Sequence, residues 1–208
     1  VFSSIDKLGR YSFLNQPPIT KWNLSRFAEC LIPLIDKDED IAIKIATEII
    51  DNFEKIYETK WLNMMRDKLG LFGENKKDKE LINNLLRWME SNKADYTNTF
   101  CYLMNLKVND IEIYKDKDFI NWLDNWEKRS LMNNGSKVKQ LSIMKNTNPI
   151  VIPRNHKVEE ALAAANEDDL KIMNKLLSTL KKPYDNQKNI EEYQSPSGNK
   201  EYKTFCGT

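Results

Sequence analysis

Residues 36–70 read DKDEDIAIKIATEIIDNFEKIYETKWLNMMRDKLG, and this stretch decides the fold class. Ile41, Ile45, Ile49, Phe53, Tyr57, Trp61 and Met65 recur every four residues. That step belongs to a helix, because a half-buried strand would alternate every two residues. The acids of DKDED supply a cap and a negatively charged first turn, which favour a helix N-terminus. Gly70 supplies a natural stop. The spacing predicts one long helix from the acidic run to about Met65. A strict four-residue step drifts around an α-helix, so this helix is expected to touch several neighbours.

Working outward, the same period recurs. Upstream, GRYSFLNQPPI is punctuated by Gly9, Asn15, Pro17 and Pro18 and reads as a loop. Thr20 is then placed to cap a helix through KWNLSRFAECLIPLI, with Pro33 kinking or ending it. Downstream, Leu81, Leu85 and Trp88 share a face. Asp95 opens DYTNTFCYLMNL as a cap, and Phe119, Trp122, Leu123 and Trp126 line a further helix, with Asn134 and Gly135 ending it. Pro149 and Pro153 bracket the extended piece IVI. NHKVEEALAAAN and DLKIMNKLLSTL pair as two helices about a hinge at residues 166–169, and a polar tail runs from Pro183 to Thr208. The expected fold is mainly α, without internal repeats.

Composition excludes several functions. The 208 residues carry 32 Lys plus Arg against 31 Asp plus Glu, too balanced for a general nucleic-acid or membrane-surface binder. No apolar run approaches membrane-spanning length. Cys30, Cys101 and Cys206 are far apart, which suggests a reducing compartment and a cytoplasmic location. Cys30 and Cys101 fall on predicted helices and are expected to be buried.

The residues show no constellation for catalysis. There is no GxGxxG and no GKS or GKT to cradle phosphate. Asp36, Asp38 and Asp40 alternate like the start of a calcium loop, but Ile41 and Thr47 stand where that loop needs Gly and Glu, so a capped helix start is the better reading. One histidine, His156, and three distant cysteines do not make a zinc site, and His156 has no identifiable partner for base catalysis. The five tryptophans fall on apolar faces and read as core. Lys137, Lys139 and Lys145 read as a solvated face. For Cys206, two from the end, the residues leave two readings open: a thiol presented to a partner sulfur or oxidant, or an inert residue on a frayed tail.

Several stretches together resemble one family: GRYSFLNQP with WNLSRFAECLIPL, then DYTNTF, MKNTNPIVIPRNHKVEEALAAA, LLSTLKKPY and the terminal TFCGT. They resemble the C-terminal part of the selenoprotein O family, kinase-like proteins that transfer AMP from ATP to protein hydroxyls, and the resemblance covers essentially the whole chain. It implies the distal C-lobe of a protein-kinase-like fold plus C-terminal helices. Residues 1–19 would form an activation-segment-like loop, 20–183 the helical body and 184–208 the tail. The family's ATP- and magnesium-binding residues precede the stretch matching VFSSIDKLGRY, so no catalytic, cofactor-binding or metal residue maps onto this chain. A fragment is implied, inactive alone and without ATP or Mg2+ of its own, whose partners are protein substrates and the upstream kinase-like lobe. Arg10, Asn15 and Gln16 would support the active-site side.

In eukaryotic members the position of Cys206 is selenocysteine, which makes Cys206 the redox candidate. Many bacterial members carry a pairing cysteine just before GRY; that position is Phe2 here, so an external or upstream thiol would be needed. A stand-alone helical interaction module without catalysis is the competing reading. A thiol redox protein is the third, weakened by the lack of CxxC.

Overall fold

The computed structural model describes residues 6–108, 110–132 and 136–197. Among them there are α-helices, short 3-10 turns and no strand, so the mainly α expectation holds. The described residues divide into two compact units, one up to Trp61 and one from Leu62 to residue 197.

The first unit is a helical hairpin. A turn over residues 6–15 leads into α1 (Gln16–Ile35), and α2 (Glu39–Asp51) packs back against it. The helix begins earlier than Thr20, because Pro17 and Pro18 fit a first turn whose N–H groups have no helical partner. Pro33 lies inside α1 and the helix stops two residues later, at Ile35. The alternating acids do cap: the Asp38 carboxylate accepts from the N–H groups of Asp40 and Ile41. The hairpin closes on small residues, with Ala42 and Ala46 of α2 buried.

The single long helix is not observed. Asn52 interrupts it between α2 and α3 (Phe53–Lys68), its N–H turning back to Glu48 and Ile50 carbonyls. Asn competes with the helix for its own backbone, which makes it a natural break. The four-residue row also meets fewer neighbours than its drift suggested. Met65 is buried, but Ile41, Ile45 and Ile49 are exposed.

The second unit contains the end of α3, α4 (Asp78–Asn92), α5 (Tyr96–Leu103), α6 (Lys117–Ser130), α7 (Lys137–Thr147), α8 (Asn155–Asn166), α9 (Lys171–Leu180) and the short α10 (Glu191–Gln194). Its core is aromatic. Phe119 lies 4.4 Å from Trp88 and 5.2 Å from Tyr114 between ring centroids, and Trp122 stacks on Trp126. Each buried indole also finds an acceptor: Trp122 donates to Leu81 O, Trp126 to Leu69 O and Trp88 to the Asp116 carboxylate. Burial of a ring together with a satisfied N–H is what fixes such a side chain in one place. Trp22 departs from the core reading; it is half-exposed, under the Arg10 guanidinium at 4.5 Å.

Gly70, the predicted stop, adopts φ +62° where the chain turns off α3. A Cβ there would come within 2.4 Å of Gln140 Cγ on α7, so both the backbone and the close approach require glycine. The polar tail is not wholly free. Ile190 and Tyr193 are buried, and Gln194 ties to Ile150, Asn98 and Arg154.

Candidate functional site

The turn ahead of α1 gathers Arg10, Asn15 and Gln16 in one place. Gly9, at φ +67°, lets the chain double back. The Asp6 carboxylate accepts from the N–H groups of Tyr11 and Arg10, at 2.9 and 2.8 Å. These bonds, that of Tyr11 first, hold the Asp6 carboxyl below the usual aspartate range. Asn15 donates through Nδ2 to Gly9 O at 2.7 Å, and Gln16 through Nε2 to Tyr11 O at 2.8 Å. The two side chains therefore brace the turn's backbone. Arg10 spends its face on Trp22, with Tyr11 further off at 5.9 Å. Around this braced turn the large apolar side chains are bare: Leu8, Phe13 and Leu14 are each more than 80% exposed. Cys206 lies outside the described residues.

The second unit holds two charged nodes that sequence reading missed. Asp78, fully buried in the first turn of α4, accepts from Arg129 at 2.7 and 3.2 Å, from Arg66 at 2.7 Å and from the Asn75 N–H. Burial alone would raise the Asp78 carboxyl, but the bonds from Arg129, Arg66 and Asn75 outweigh it and hold the carboxyl below its ordinary value. Arg129 also donates to the carbonyls of Phe72 and Gly73, so its donors are occupied. The available clue was charge at helix ends: Arg66 and Arg129 sit in the last turns of α3 and α6, and Asp78 in the first turn of α4.

The second node centres on Asp95. It caps α5 as expected, through the Asn98 N–H, and also pairs with Arg154 in a two-point contact. Arg154 reaches on to Gln194 O at 2.8 Å. This joins the starts of α5 and α8 to the 190–194 segment. Between the nodes, Lys68 is buried, with its ammonium over the rings of Phe100 and Tyr96. Burial lowers Lys68 to about 8 and raises the Cys101 thiol to about 11. Cys101 is thus an inert core thiol. Cys30, expected to be buried, is exposed instead, because it lies on the side of α1 away from α2.

These arrangements brace structure. Among the described residues no three His, Cys, Asp or Glu side chains gather to hold a metal ion, and the carboxylates of both nodes are engaged by arginine. No helix among the described residues is long and apolar enough to cross a membrane.

Residues 1–181 match the family described as protein adenylyltransferase SelO. The chain belongs to this family. It is 58% identical across its whole length to a protein nucleotidyltransferase YdiU of Pelagibacter ubique, covering 44% of that protein. It is 48% identical to the YdiU protein of Clostridium beijerinckii and 45% identical to that of Nitrosococcus oceani, covering 43% of each. The chain therefore spans less than half the length of the curated relatives it matches. Family membership agrees with the resemblance read from residues 9–17, 22–34, 95–100, 144–165, 176–184 and 204–208, and it rests on most of the chain rather than on one motif.

Proposed function

We propose that this chain is the helical C-terminal portion of a protein adenylyltransferase. The complete enzyme moves AMP from ATP to Ser, Thr or Tyr hydroxyls of proteins, and this portion is inactive alone. The carrying observation is the family match over residues 1–181, joined to 58% identity with a nucleotidyltransferase more than twice as long. The helices form the distal C-lobe of a kinase-like fold and the extension beyond it. ATP and Mg2+ belong to the upstream lobe, as the family resemblance implies, because adenylyl transfer needs charge positioned on the phosphates. The braced turn carrying Arg10, Asn15 and Gln16 then supports the active-site side, and Cys206 is the redox-responsive thiol.

The test compares this chain with the longer polypeptide from the same source, each incubated with labelled ATP, Mg2+ and a protein acceptor. The expected outcome is AMP on hydroxyl side chains with the longer polypeptide and none with the chain alone. Magnesium-dependent transfer by the chain alone would refute the assignment of the chemistry to the upstream lobe. If neither polypeptide transfers AMP, the interaction-module reading takes over.

A further inference from the structure

The first unit has the residue pattern of a covered element without the cover. On α1, Leu24, Phe27, Leu31 and Leu34 follow the three-and-four spacing of one helical stripe. Phe27 is 60% exposed and Leu34 81%. This stripe is not the hairpin seam, since α1 meets α2 through the side that carries Ser25, Ala28 and Ile32. The charged residues of α1 are Lys21, Arg26 and Glu29, and their positions fall off the stripe. Thr20, Asn23 and Cys30, which flank it, are uncharged. On α2, Ile41, Ile45 and Ile49 form a second exposed row. Phe13 and Leu14 continue the apolar surface ahead of α1. A hairpin whose buried apolar residues are Ile19, Ala42 and Ala46 has too little core to stand in water on its own.

We propose that the α1 stripe, with Phe13 and Leu14, is the docking surface for the part of the family polypeptide that this chain does not contain. The inference rests on the reading of the chain as one portion of a longer enzyme. The relatives supply the length: the chain accounts for 44% of the Pelagibacter protein, which leaves a larger remainder to provide the covering surface. The absence of charge along the stripe sets the chemistry of that surface as apolar and closely packed, not an electrostatic contact. Docking here holds the braced turn of Arg10, Asn15 and Gln16 against the same remainder, since that turn leads directly into α1.

Cys30 is a built-in probe, three residues after Phe27 and four before Leu34. N-ethylmaleimide labelling, with Cys30 resolved from Cys101 and Cys206 by peptide mass, is compared between this chain and the longer polypeptide. Cys30 should react in the chain at nearly the rate of the denatured protein, and about tenfold or more slowly in the longer polypeptide. Equal rates in the two overturn the proposal. Protection already present in the monomeric chain overturns it in favour of cover by the second unit. Protection that grows with concentration, alongside a dimer, overturns it in favour of a second copy. A second measurement uses Phe27→Asp, which should lower the melting temperature of the longer polypeptide by about 4 °C or more and leave that of the chain unchanged. Equal shifts in both would also overturn the proposal. Labelling reads packing and not chemistry, so Cys30 protection without AMP transfer would sink the functional reading alone.

Discussion

The two units draw on the same kinds of residue and use them differently. Beyond Leu62, twenty-three apolar residues are buried among those described; before it, three are. The first unit is not poor in large apolar side chains. Trp22, Phe27, Leu34, Ile41, Ile45 and Ile49 all belong to it, and all are exposed. The second unit fixes its rings twice, by packing and by indole N–H bonds to Leu69, Leu81 and Asp116. Helical periodicity identifies a face that needs cover. It does not say that the cover lies in the same chain.

Three substitutions would break or sharpen this contrast. The largest effect is expected at Asp78, where Asp78→Asn leaves the buried guanidinium groups of Arg66 and Arg129 without their shared anion. Removing one partner from a buried ion cluster costs about 3–5 kcal/mol, read here by urea unfolding. A loss under about 1 kcal/mol would mean that the cluster is not what holds α3, α4 and α6 together. A paired comparison follows. Phe119→Ala, at a fully buried ring, should cost about 3–5 kcal/mol. Phe27→Ala should stay within about 0.5 kcal/mol in this chain, because that ring faces solvent. Similar losses at both sites would erase the distinction between the units.

The all-helical class and several caps were legible in the sequence because they are local. Asp38 and Asp95 each sit before an apolar-periodic run and bond to the N–H groups predicted for a cap. The break at Asn52 was hidden because the four-residue row passes straight through it. The burial of Trp88, Trp122 and Trp126 followed from their phase, whereas Trp22, read as core in the same way, is half-exposed beneath the Arg10 guanidinium. The nodes at Asp78 and Asp95 depend on residues 51 and 59 positions away, a distance that no periodicity spans. Arg10, Asn15 and Gln16 came from the family resemblance. The structure adds that they meet in a single turn, with Asn15 and Gln16 bracing its backbone.

A fourth substitution sharpens the picture of the second unit by testing whether its core tolerates a charge. Lys68 places its ammonium 4.4 Å from the Phe100 ring centroid, and burial lowers it from 10.5 to about 8. Between those values the unfolded chain holds the proton more often than the folded one, so this side chain makes stability rise with pH. Below pH 8 both states are charged and the burial cost is present in full. Above about 10.5 neither is charged and the cost is gone. Cys101, raised to about 11, and Tyr96 and Tyr114, each raised to about 12, work the other way, because their folded forms keep protons that the unfolded chain releases. Parent and Lys68→Met share those groups, so their difference isolates the lysine. The variant should be the more stable at pH 7, and its advantage in urea midpoint should shrink steadily as pH passes from 8 towards 10.5. An advantage that stays constant with pH would mean that the ring faces of Phe100 and Tyr96 replace the water around the ammonium, and that the core carries this charge without penalty.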